Sequence, residues 1–514
     1  MALNKEEAVR VGAKNDGMEY MDLSSLEIPP EIFGLLPAKF ACHYRALPLQ
    51  IREGQFIVAI SDPNNLPFID SVRALLEKDV EFVCVDPEQL DKKLLQYYGN
   101  QRIPPPAQNQ EIKKCASEEA KEEAPLVKIL TGLLLEAYER RASDVHLEPM
   151  TDRFRVRFRI DGMLQEIRNL PSTLQTAVIS RLKIMSGSMS ITEKRLPQDG
   201  RIKFQVQNDG KSIDLRVSTI PTIHGESAVI RLLDKSSLAL GLSELGFLSN
   251  DQAQFENLIH SPNGMILITG PTGSGKTTTL YACLNSINGP DRKLITVEDP
   301  IEYQIPGINQ VQVNLEIGMT FPAALRSILR QAPNILMIGE IRDYETAHIA
   351  IHASLTGHLI FSTLHTNDAT SAIARLMDIG IPPFLISASV KAVIAQRLIR
   401  RLCPDCKKPS KLSEYECRLL NIEPDPRAPL NQSMMAVGCN ACHGKGYKGR
   451  MGIFEIFILN DEARHLINQS SSSFQLRLHA RRLGMQVLAE DGVLKILAGL
   501  TTAQEVIATT MREN

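Results

Sequence analysis

The amino-acid sequence predicts a multidomain α/β protein whose largest part is a phosphate-loop nucleotide domain. Residues 270–277 read Gly-Pro-Thr-Gly-Ser-Gly-Lys-Thr, a full match to the pattern G-x-x-x-x-G-K-[ST]. An apolar run at 265–269 precedes this loop, and a run at 277–286 that can form a helix follows it. Strand and helix patterns then alternate over 241–397, which is typical of a parallel sheet covered by helices.

The loop contains the groups that hold a nucleoside triphosphate. Its glycines allow backbone N–H groups to approach a phosphate closely. Lys276 supplies a positive charge to the β- and γ-phosphates, and the Thr277 hydroxyl can hold Mg²⁺. The predicted nucleotide-binding residues are Gly270, Pro271, Thr272, Gly273, Ser274, Gly275, Lys276, Thr277 and Thr278.

Length and composition indicate an ordinary globular protein. The chain has 514 residues, which corresponds to roughly three domains, and 43% of its residues are hydrophobic and 23% charged. The formal net charge of −2 gives no support to a nucleic-acid partner. Because the sequence shows no run of 18 apolar residues and no apolar signal region, we expect a cytoplasmic protein.

Changes in composition divide the chain into six predicted parts. The second part is proline-rich and then charged, so it is expected to be a flexible linker, or a solvated helix that would also act as a spacer. The third part contains alternating apolar and arginine residues, which predicts a half-buried sheet with a basic open face. The parts are a small α/β or α+β module (1–100), the linker (101–124), a helix with strands (125–240), the nucleotide part (241–397), a cysteine-bearing part (398–450) and a helical end (451–514).

Apolar patterns predict individual elements in the first and third parts. In the first part they predict two strands with a helix between them, and in the third a helix followed by four strands. The predicted ranges are 56–60, 68–76 and 81–85 in the first part and 126–140, 153–160, 202–206, 213–218 and 228–233 in the third.

Carboxylates follow two predicted strands after the loop. The strand at 294–298 ends in Glu298 and leads to Asp299 and Glu302, and the apolar run 334–338 leads to Glu340. Carboxylates at the carboxyl ends of such strands face the ligand crevice of an open α/β sheet. Gly339 stands where an aspartate is usual, so we expect a water-mediated contact from Glu340 to Mg²⁺ rather than direct ligation.

Two histidines flank a further predicted strand. His358 precedes the apolar run 359–364 and His365 follows it. In a phosphate-loop domain, histidines in this position are expected to sense the γ-phosphate.

Four cysteines form two C-x-x-C pairs, which predict a zinc site. The pairs are Cys403 with Cys406 and Cys439 with Cys442. Four thiolates in two tight turns are a tetrahedral Zn²⁺ ligand set, and a site closed by four sulfurs is structural rather than catalytic. His443 adjoins the last cysteine and is the alternative ligand.

Several segments resemble the signature motifs of the secretion ATPase superfamily, of the GspE/PulE/PilB type that includes type II secretion ATPases and type IV pilus extension ATPases. The specific resemblance covers about 125–510, whereas 1–100 is only loosely similar. The motifs are Gly-Pro-Thr-Gly-Ser-Gly-Lys-Thr-Thr-Thr (270–279), Val-Glu-Asp-Pro-Ile-Glu (297–302), Ile-Gly-Glu-Ile-Arg-Asp (338–343), Thr-Gly-His-Leu-Ile-Phe-Ser-Thr-Leu-His-Thr-Asn (356–367), Ala-Ser-Asp-Val-His-Leu-Glu-Pro (142–149) and Arg-Leu-Pro-Gln-Asp-Gly-Arg (195–201).

This resemblance implies a domain plan and an assembly. It implies an N-terminal docking domain, a PAS-like α+β second domain, a RecA-like ATPase domain and a zinc-binding tetracysteine insert, which retraction ATPases generally lack. It also implies a homohexameric ring that hydrolyses ATP with Mg²⁺ beside inner-membrane platform and docking proteins of the GspL and GspF kind. Residues 1–100 lack the Arg-Leu-Gly repeats with which some relatives bind cyclic di-GMP, so that ligand is not expected.

The resemblance also implies roles for site residues. It implies that Glu302 of the second box, called the Asp box, is a catalytic glutamate, that Glu340 is the Walker B glutamate, and that His358 and His365 are the box histidines. Either Glu302 or Glu340 can orient the attacking water. Arginines are expected to complete the site across the ring, from one subunit to the ATP of the next. Arg216 and Arg231 match the family's positions, and Arg326 and Arg330 are further candidates.

Four functions remain open at this point. The favoured one is a ring ATPase that drives pseudopilus assembly and type II secretion, and pilus extension is hard to separate from it. A DNA-uptake or conjugation motor would share the nucleotide domain and would be stimulated by nucleic acid. An adaptor without turnover is disfavoured by the intact Lys276, Glu302 and Glu340.

Overall fold

The fold is taken from a computed structural model of the 514-residue chain. It describes residues 19–23, 26, 28–29, 32, 41, 46–52, 55–60, 80–98, 119–206, 212–233, 241–422 and 432–511. The chain divides into two compact units, Met1–Lys121 and Glu122–Asn514. The helix expected at 68–76 and the linker residues 101–118 lie outside the described residues, and the remainder of the predicted linker belongs to a helix that begins at Glu119.

The first unit contains a four-stranded sheet with a helix. Its apolar core includes Leu47 and Val58 from the sheet and Leu90 and Leu94 from the helix. The expected strands at 56–60 and 81–85 are present, and a further strand lies at 46–52. The strands are β1 (Glu19–Tyr20), β2 (Ala46–Arg52), β3 (Gln55–Ile60) and β4 (Val80–Cys84) in the order β1-β4-β3-β2, and the helix is α1 (Pro87–Tyr98).

The second unit begins with a long helix and an antiparallel six-stranded sheet. Every neighbouring pair of its strands is antiparallel. The elements are α2 (Glu119–Glu139), β5 (Ala142–Pro149), β6 (Arg153–Ile160), β7 (Met163–Pro171), α3 (Gln175–Ser186), β8 (Gln198–Gln205), β9 (Ser212–Thr222) and β10 (Gly225–Leu233), with the sheet order β7-β6-β5-β10-β9-β8.

The alternating pattern of β6 forms one buried and one open face, as the sequence predicts. Its apolar residues are buried, while its arginines point to the other side. Three of the four arginines on this side are paired with carboxylates of β5: Glu148 binds Arg155 and Arg157, and Asp144 binds Arg159. The open face is therefore less basic than the arginine count of β6 alone suggests.

A mainly parallel seven-stranded sheet forms the centre of the nucleotide part. Strands β11, β12, β14 and β15 are buried along their whole length, because helices cover both faces. The elements are α4 (Ser249–Ile259), β11 (Gly264–Thr269), α5 (Lys276–Ile287), β12 (Leu294–Glu298), β13 (Asn309–Gln312), α6 (Phe321–Ile328), β14 (Ile335–Ile338), α7 (Tyr344–Leu355), β15 (Leu359–Leu364), α8 (Ser371–Asp378) and α9 (Pro383–Ser389).

Two long strands complete this sheet and carry the cysteine-bearing segment. Strand β16 (Val390–Leu402) runs parallel to β11, and β19 (Tyr447–Ile458) pairs with β16 in the antiparallel sense at the sheet edge. The full order is β13-β12-β14-β15-β11-β16-β19. The boundaries predicted at 397/398 and 450/451 fall inside these strands. The segment between them contains β17 (Lys408–Lys411), α10 (Glu414–Leu419) and β18 (Gln432–Met435).

Helices end the chain. They are α11 (Asp461–Asn468), α12 (Ser473–Arg482), α13 (Leu488–Leu497) and α14 (Ala503–Thr510). A fully buried ion pair attaches α13 to β19: Lys495 Nζ lies 2.6 Å from Asp491 Oδ2, and this oxygen also accepts the Phe454 N–H at 2.7 Å. Within the described residues, no helix has the length and apolar character needed to cross a membrane.

Candidate active site

The phosphate loop lies where the sequence predicts it, between the end of β11 and the start of α5. A Cβ at Gly270 would lie 2.5 Å from the backbone oxygen of Gln396 and 2.6 Å from Ser274 Oγ, so no larger residue fits there. Gly275 has a φ of +89°, a conformation that glycine adopts without strain. The loop therefore needs glycine at these two positions for steric reasons.

Two polar side chains of the loop are desolvated. Burial lowers the pKa of Lys276 to about 8, while the nearby carboxylate of Glu340 opposes this effect. Its Nζ donates hydrogen bonds to the carbonyl oxygens of Gly270 at 2.7 Å and Pro271 at 3.1 Å. Ser274 Oγ is buried and has no hydrogen-bond partner in the described part of the chain. A buried hydroxyl and a partly buried ammonium group at a helix N-terminus fit a phosphate.

Two buried polar side chains of strand β16 support the phosphate loop, and the sequence analysis did not predict this role for them. Gln396 Oε1 accepts a hydrogen bond from Thr279 of α5 at 2.8 Å, and Arg397 donates to the backbone oxygens of Gln396 at 3.0 Å and Asn367 at 2.8 Å. Both side chains are at most 4% exposed. The sequence could have indicated this role, because Gln396 and Arg397 form a polar pair inside the otherwise apolar run of β16.

The first carboxylate of the Asp box, Glu298, has a structural role. It is buried and accepts hydrogen bonds from Thr296 at 2.6 Å, from Gln310 at 3.1 Å and from the Tyr281 hydroxyl of α5. Burial, together with the Glu298 charge, raises the pKa of Tyr281, so its hydroxyl keeps its proton. Glu298 is thus committed to holding α5 against β12.

Glu302 is bound by an arginine of its own chain. Arg216 of β9 places Nη1 2.9 Å from Glu302 Oε2 and donates from Nη2 to the Ile301 carbonyl at 2.7 Å. The sequence analysis expected Arg216 to serve the ATP of a neighbouring subunit. In the described chain the guanidinium reaches the Asp box of the same polypeptide, and the role of Arg216 across a subunit boundary stays a prediction.

Glu340 and His365 meet at the carboxyl edge of the central sheet. Glu340 follows β14 and His365 follows β15, the neighbouring parallel strand. His365 Nε2 lies 3.2 Å from Glu340 Oε2, and Arg342 Nη2 lies 2.5 Å from the other carboxylate oxygen. Since Glu340 also attracts Lys276, this edge brings together an acceptor, a lysine and a histidine beside the phosphate loop.

His358 lies at the amino end of β15, at the end of the sheet opposite to the phosphate loop. It precedes β15, its carbonyl accepts the N–H of Gly264 at the start of β11, and its Nδ1 lies 2.9 Å from the Ala353 oxygen. Six strand residues separate it from the edge that holds His365, which is roughly 20 Å. The structure therefore places His358 away from the phosphate loop of its own chain, and the expectation that both histidines sense phosphate stays a prediction.

The remaining predicted arginines contact other groups. Arg231 of β10 is 59% exposed and binds Asp144 with 3.0 Å between Nε and Oδ1. Arg326 pairs with Glu345 of α7, and Arg330 donates to the Arg326 carbonyl at 2.8 Å.

The four predicted cysteines form one cluster at the end of the β16–β19 pair. Their sulfurs all lie within 4.8 Å of one another, with Cys403 and Cys439 3.9 Å apart and Cys406 and Cys442 3.8 Å apart. A tetrahedral ion with Zn–S bonds of about 2.3 Å would separate its sulfurs by about 3.8 Å.

Backbone N–H groups also favour the thiolate form in this cluster. Burial alone raises the pKa of Cys442, but hydrogen bonds from the N–H groups of Cys439 at 3.2 Å and Gly446 at 3.1 Å lower it overall. His443 is not a member of the cluster. The sulfur positions and these donors fit a metal ion.

Two family models together match nearly the whole chain. Residues 119–508 match the model described as type II/IV secretion system protein, and residues 17–104 match the MshEN domain.

Individual relatives are similar over long ranges. The type IV pilus assembly ATPase PilB of Myxococcus xanthus is 42% identical over 510 residues, which is 97% of this chain and 90% of that protein. The type II secretion system protein E of Pseudomonas aeruginosa is 48% identical over 395 residues, 77% of each chain. Among solved structures, the pilus retraction motor PilT with bound ADP is 26% identical, with a TM-score of 0.50, over 74% of this chain and 96% of its own.

Proposed function

Because the chain belongs to the type II/IV secretion system protein family and is an ATPase, we propose that it forms a cytoplasmic homohexameric ring that powers pseudopilus assembly and protein export by a type II secretion system. The observation that carries this proposal is the meeting of Lys276, Glu340 and His365 beside the phosphate loop. This arrangement can hold a triphosphate, orient a water and follow loss of the γ-phosphate.

Extension of a type IV pilus is the second candidate function. A specific observation favours it: similarity to a pilus assembly ATPase covers 97% of the chain, including the first unit. Both functions use the same hydrolysis and differ in the fibre that is assembled.

Complementation of a strain that lacks this gene tests these functions. Export of secreted proteins to the medium, restored by the wild-type chain and not by Lys276→Ala, supports the first function. Restored surface pili with unchanged export would replace it by the second. ATP hydrolysis stimulated by added DNA would contradict both and favour a nucleic-acid motor, which the net charge of −2 does not support.

We propose, as the alternative to the arrangement across the ring that the sequence predicts, that Arg216 acts within its own subunit, because it binds Glu302 of its own Asp box. Arg216→Ala should lose roughly 10³–10⁵ in turnover if it acts like a finger arginine. Mixing this variant with inactive Lys276→Ala protein should restore no hydrolysis, since no subunit in a mixed ring carries both residues.

A control mixture of wild-type and Lys276→Ala protein shows that subunits exchange. Restored activity in the mixture of the two inactive variants would contradict action within one subunit and would support the arrangement that the sequence predicts. The same mixture with Arg231→Ala tests the second arginine.

Zn²⁺ is the metal that the four-cysteine cluster fits best, and we infer a structural role because sulfur fills all four positions. The bound ion would join the ends of β16 and β19 to the turn that carries Cys439 and Cys442. It would lie beyond the carboxyl end of β16, further along the chain than Gln396 and Arg397 beside the phosphate loop, and is assigned no catalytic step.

One tightly bound Zn²⁺ per chain is the expected result of metal analysis. Cys403→Ser should lose the metal and lower the yield of folded protein, since zinc–thiolate binding contributes on the order of 10 kcal/mol to local folding. Cys417→Ser is the matched control, because Cys417 is buried in the same segment but lies outside the cluster. Folded protein with no zinc and four freely titratable thiols would contradict the site.

The first unit, which matches the MshEN domain, is proposed to attach the ATPase to an inner-membrane partner of the secretion platform. Removing residues 1–100 should leave basal hydrolysis largely intact, because the described contacts of the catalytic residues lie within the second unit. The truncated chain should move from the membrane fraction to the cytosol and stop export. If it still sediments with membranes and supports export, docking belongs to another part of the chain.

A further inference from the structure

Three arginines lie side by side on three neighbouring strands of the six-stranded sheet. Arg216 of β9 is directly opposite Arg201 of β8 on one side and Arg231 of β10 on the other. Side chains at such opposed positions lie on one face with Cβ atoms about 4.5–5.5 Å apart, and like charges there repel. A row of three cations therefore destabilises the sheet unless anions balance it.

Carboxylates in the described part of the chain form ion pairs with two of the three arginines. Glu302 binds Arg216 with 2.9 Å between the charged atoms, and Asp144 binds Arg231 at 3.0 Å. Arg201 is exposed and forms no ion pair or side-chain hydrogen bond within the described residues. The row thus contains one guanidinium that forms no ion pair within the described residues, with the carboxylate of Asp199 two positions away on the same strand.

A cavity of about 740 Å³ lies over the row. All three arginines line it, and Pro300 of the Asp box forms part of its wall. Its volume lies within the usual range for small-molecule sites, roughly 300–1,000 Å³. The unpaired guanidinium therefore points to a ligand space that adjoins the segment carrying Glu302.

We propose that Arg201 binds a phosphoryl group in this cavity, beside Arg216, and so forms a second phosphate contact apart from Lys276. A guanidinium binds two phosphate oxygens in a planar fork, which suits a dianion next to a second arginine. The phosphoryl group has two possible sources, the terminal phosphate of ATP and the inorganic phosphate that hydrolysis releases. This inference rests on the proposed ATPase function and adds a residue for which the sequence analysis assigned no role.

Nucleotide binding to the full-length protein with Mg²⁺ tests the role of Arg201. The probes are ADP, the non-hydrolysable analogue adenylyl imidodiphosphate, and inorganic phosphate. The variants are Arg201→Ala, the charge-conserving Arg201→Lys, and Lys203→Ala. Lys203 is a matched control because it is an exposed cation two residues further along β8 and does not line the cavity.

If the terminal phosphate of ATP is the ligand, Arg201→Ala should weaken binding of the analogue roughly 10- to 100-fold and leave ADP affinity unchanged. Arg201→Lys should recover part of the loss. If released phosphate is the ligand, the analogue binds normally and inhibition of hydrolysis by inorganic phosphate weakens by a similar factor. Either result supports the contact, provided that Lys203→Ala behaves as wild type.

Two results would overturn the contact. In the first, Arg201→Ala binds every probe with the affinity of the wild type. In the second, it binds ADP and the analogue more weakly by the same factor. These results are distinct from failure of the proposed function, which would appear as wild-type protein that binds nucleotide without hydrolysing it. Because Arg201 is exposed, its replacement is expected to leave the melting temperature near that of the wild type.

Discussion

ATP hydrolysis should be lost in Lys276→Ala, while the fold remains intact. Lys276 lies at the start of α5 with its Nζ on the carbonyls of the phosphate loop, so its replacement removes the charge nearest the bound phosphates. Removing one group that stabilises developing charge typically costs roughly 10²–10³ in rate, and a lysine that also binds the ground-state phosphates should cost at least this much.

Phosphate release at saturating ATP measures the effect, and circular dichroism verifies the fold. Lys293→Ala is a suitable control, because Lys293 precedes β12 at the other edge of the same sheet and donates to the Gln331 carbonyl. Turnover near that of the wild type in Lys276→Ala would remove the basis of the whole functional assignment.

Glu340→Gln should retain ATP and lose hydrolysis. The carboxamide has the size of the carboxylate, its oxygen can still accept from Arg342, and its NH2 group can donate to the neutral ring of His365, so the local structure should persist. It lacks the negative charge needed to orient and deprotonate the attacking water, an effect worth roughly 10²–10⁴ in rate. Binding of labelled ATP together with single-turnover hydrolysis separates the two effects.

The same measurements on Glu302→Gln distinguish the two candidate bases. We expect a smaller loss there, because Arg216 already occupies the Glu302 carboxylate in the described chain. The exposed Glu316 provides a control substitution in the same domain. If Glu302→Gln is the more damaged variant and Glu340→Gln still turns over, Glu302 is the residue that activates water.

Features that depend on local pattern were predictable from the sequence. The strand before the phosphate loop, the helix after it and the arginine-rich strand β6 are confirmed close to the predicted positions. Each can be predicted from a short stretch of sequence. A strand buried on two faces has a continuous apolar run, and a strand buried on one face has alternating apolar and polar residues. The cysteine cluster was equally readable, since thiolates at C-x-x-C spacing lie in one tight turn.

Features that depend on long-range pairing were not predictable in the same way. The contact between Arg216 and Glu302 joins the six-stranded sheet to the segment after β12 through residues more than eighty positions apart, and nothing near either residue indicates the other. The histidines on either side of β15 look equivalent in sequence, but a strand has two ends and only His365 lies at the end that meets the loop. Strand β16 was divided in the prediction because its partner β19 follows only after the cysteine-bearing segment.

The pairing of β16 with β19 determines when the central sheet can be completed during synthesis of the chain. On the ribosome, β16 emerges roughly forty residues before β19, which is several seconds at about 5–20 residues per second. During this interval one edge of the central sheet has no partner, and an open edge invites pairing with another nascent chain. The cluster that holds Cys403 near Cys439 and Cys442 brings the two strand ends together at Leu402 and Tyr447. With the proposed Zn²⁺ bound by this cluster, zinc supply during synthesis should govern the yield of assembled protein more than the activity of protein already folded.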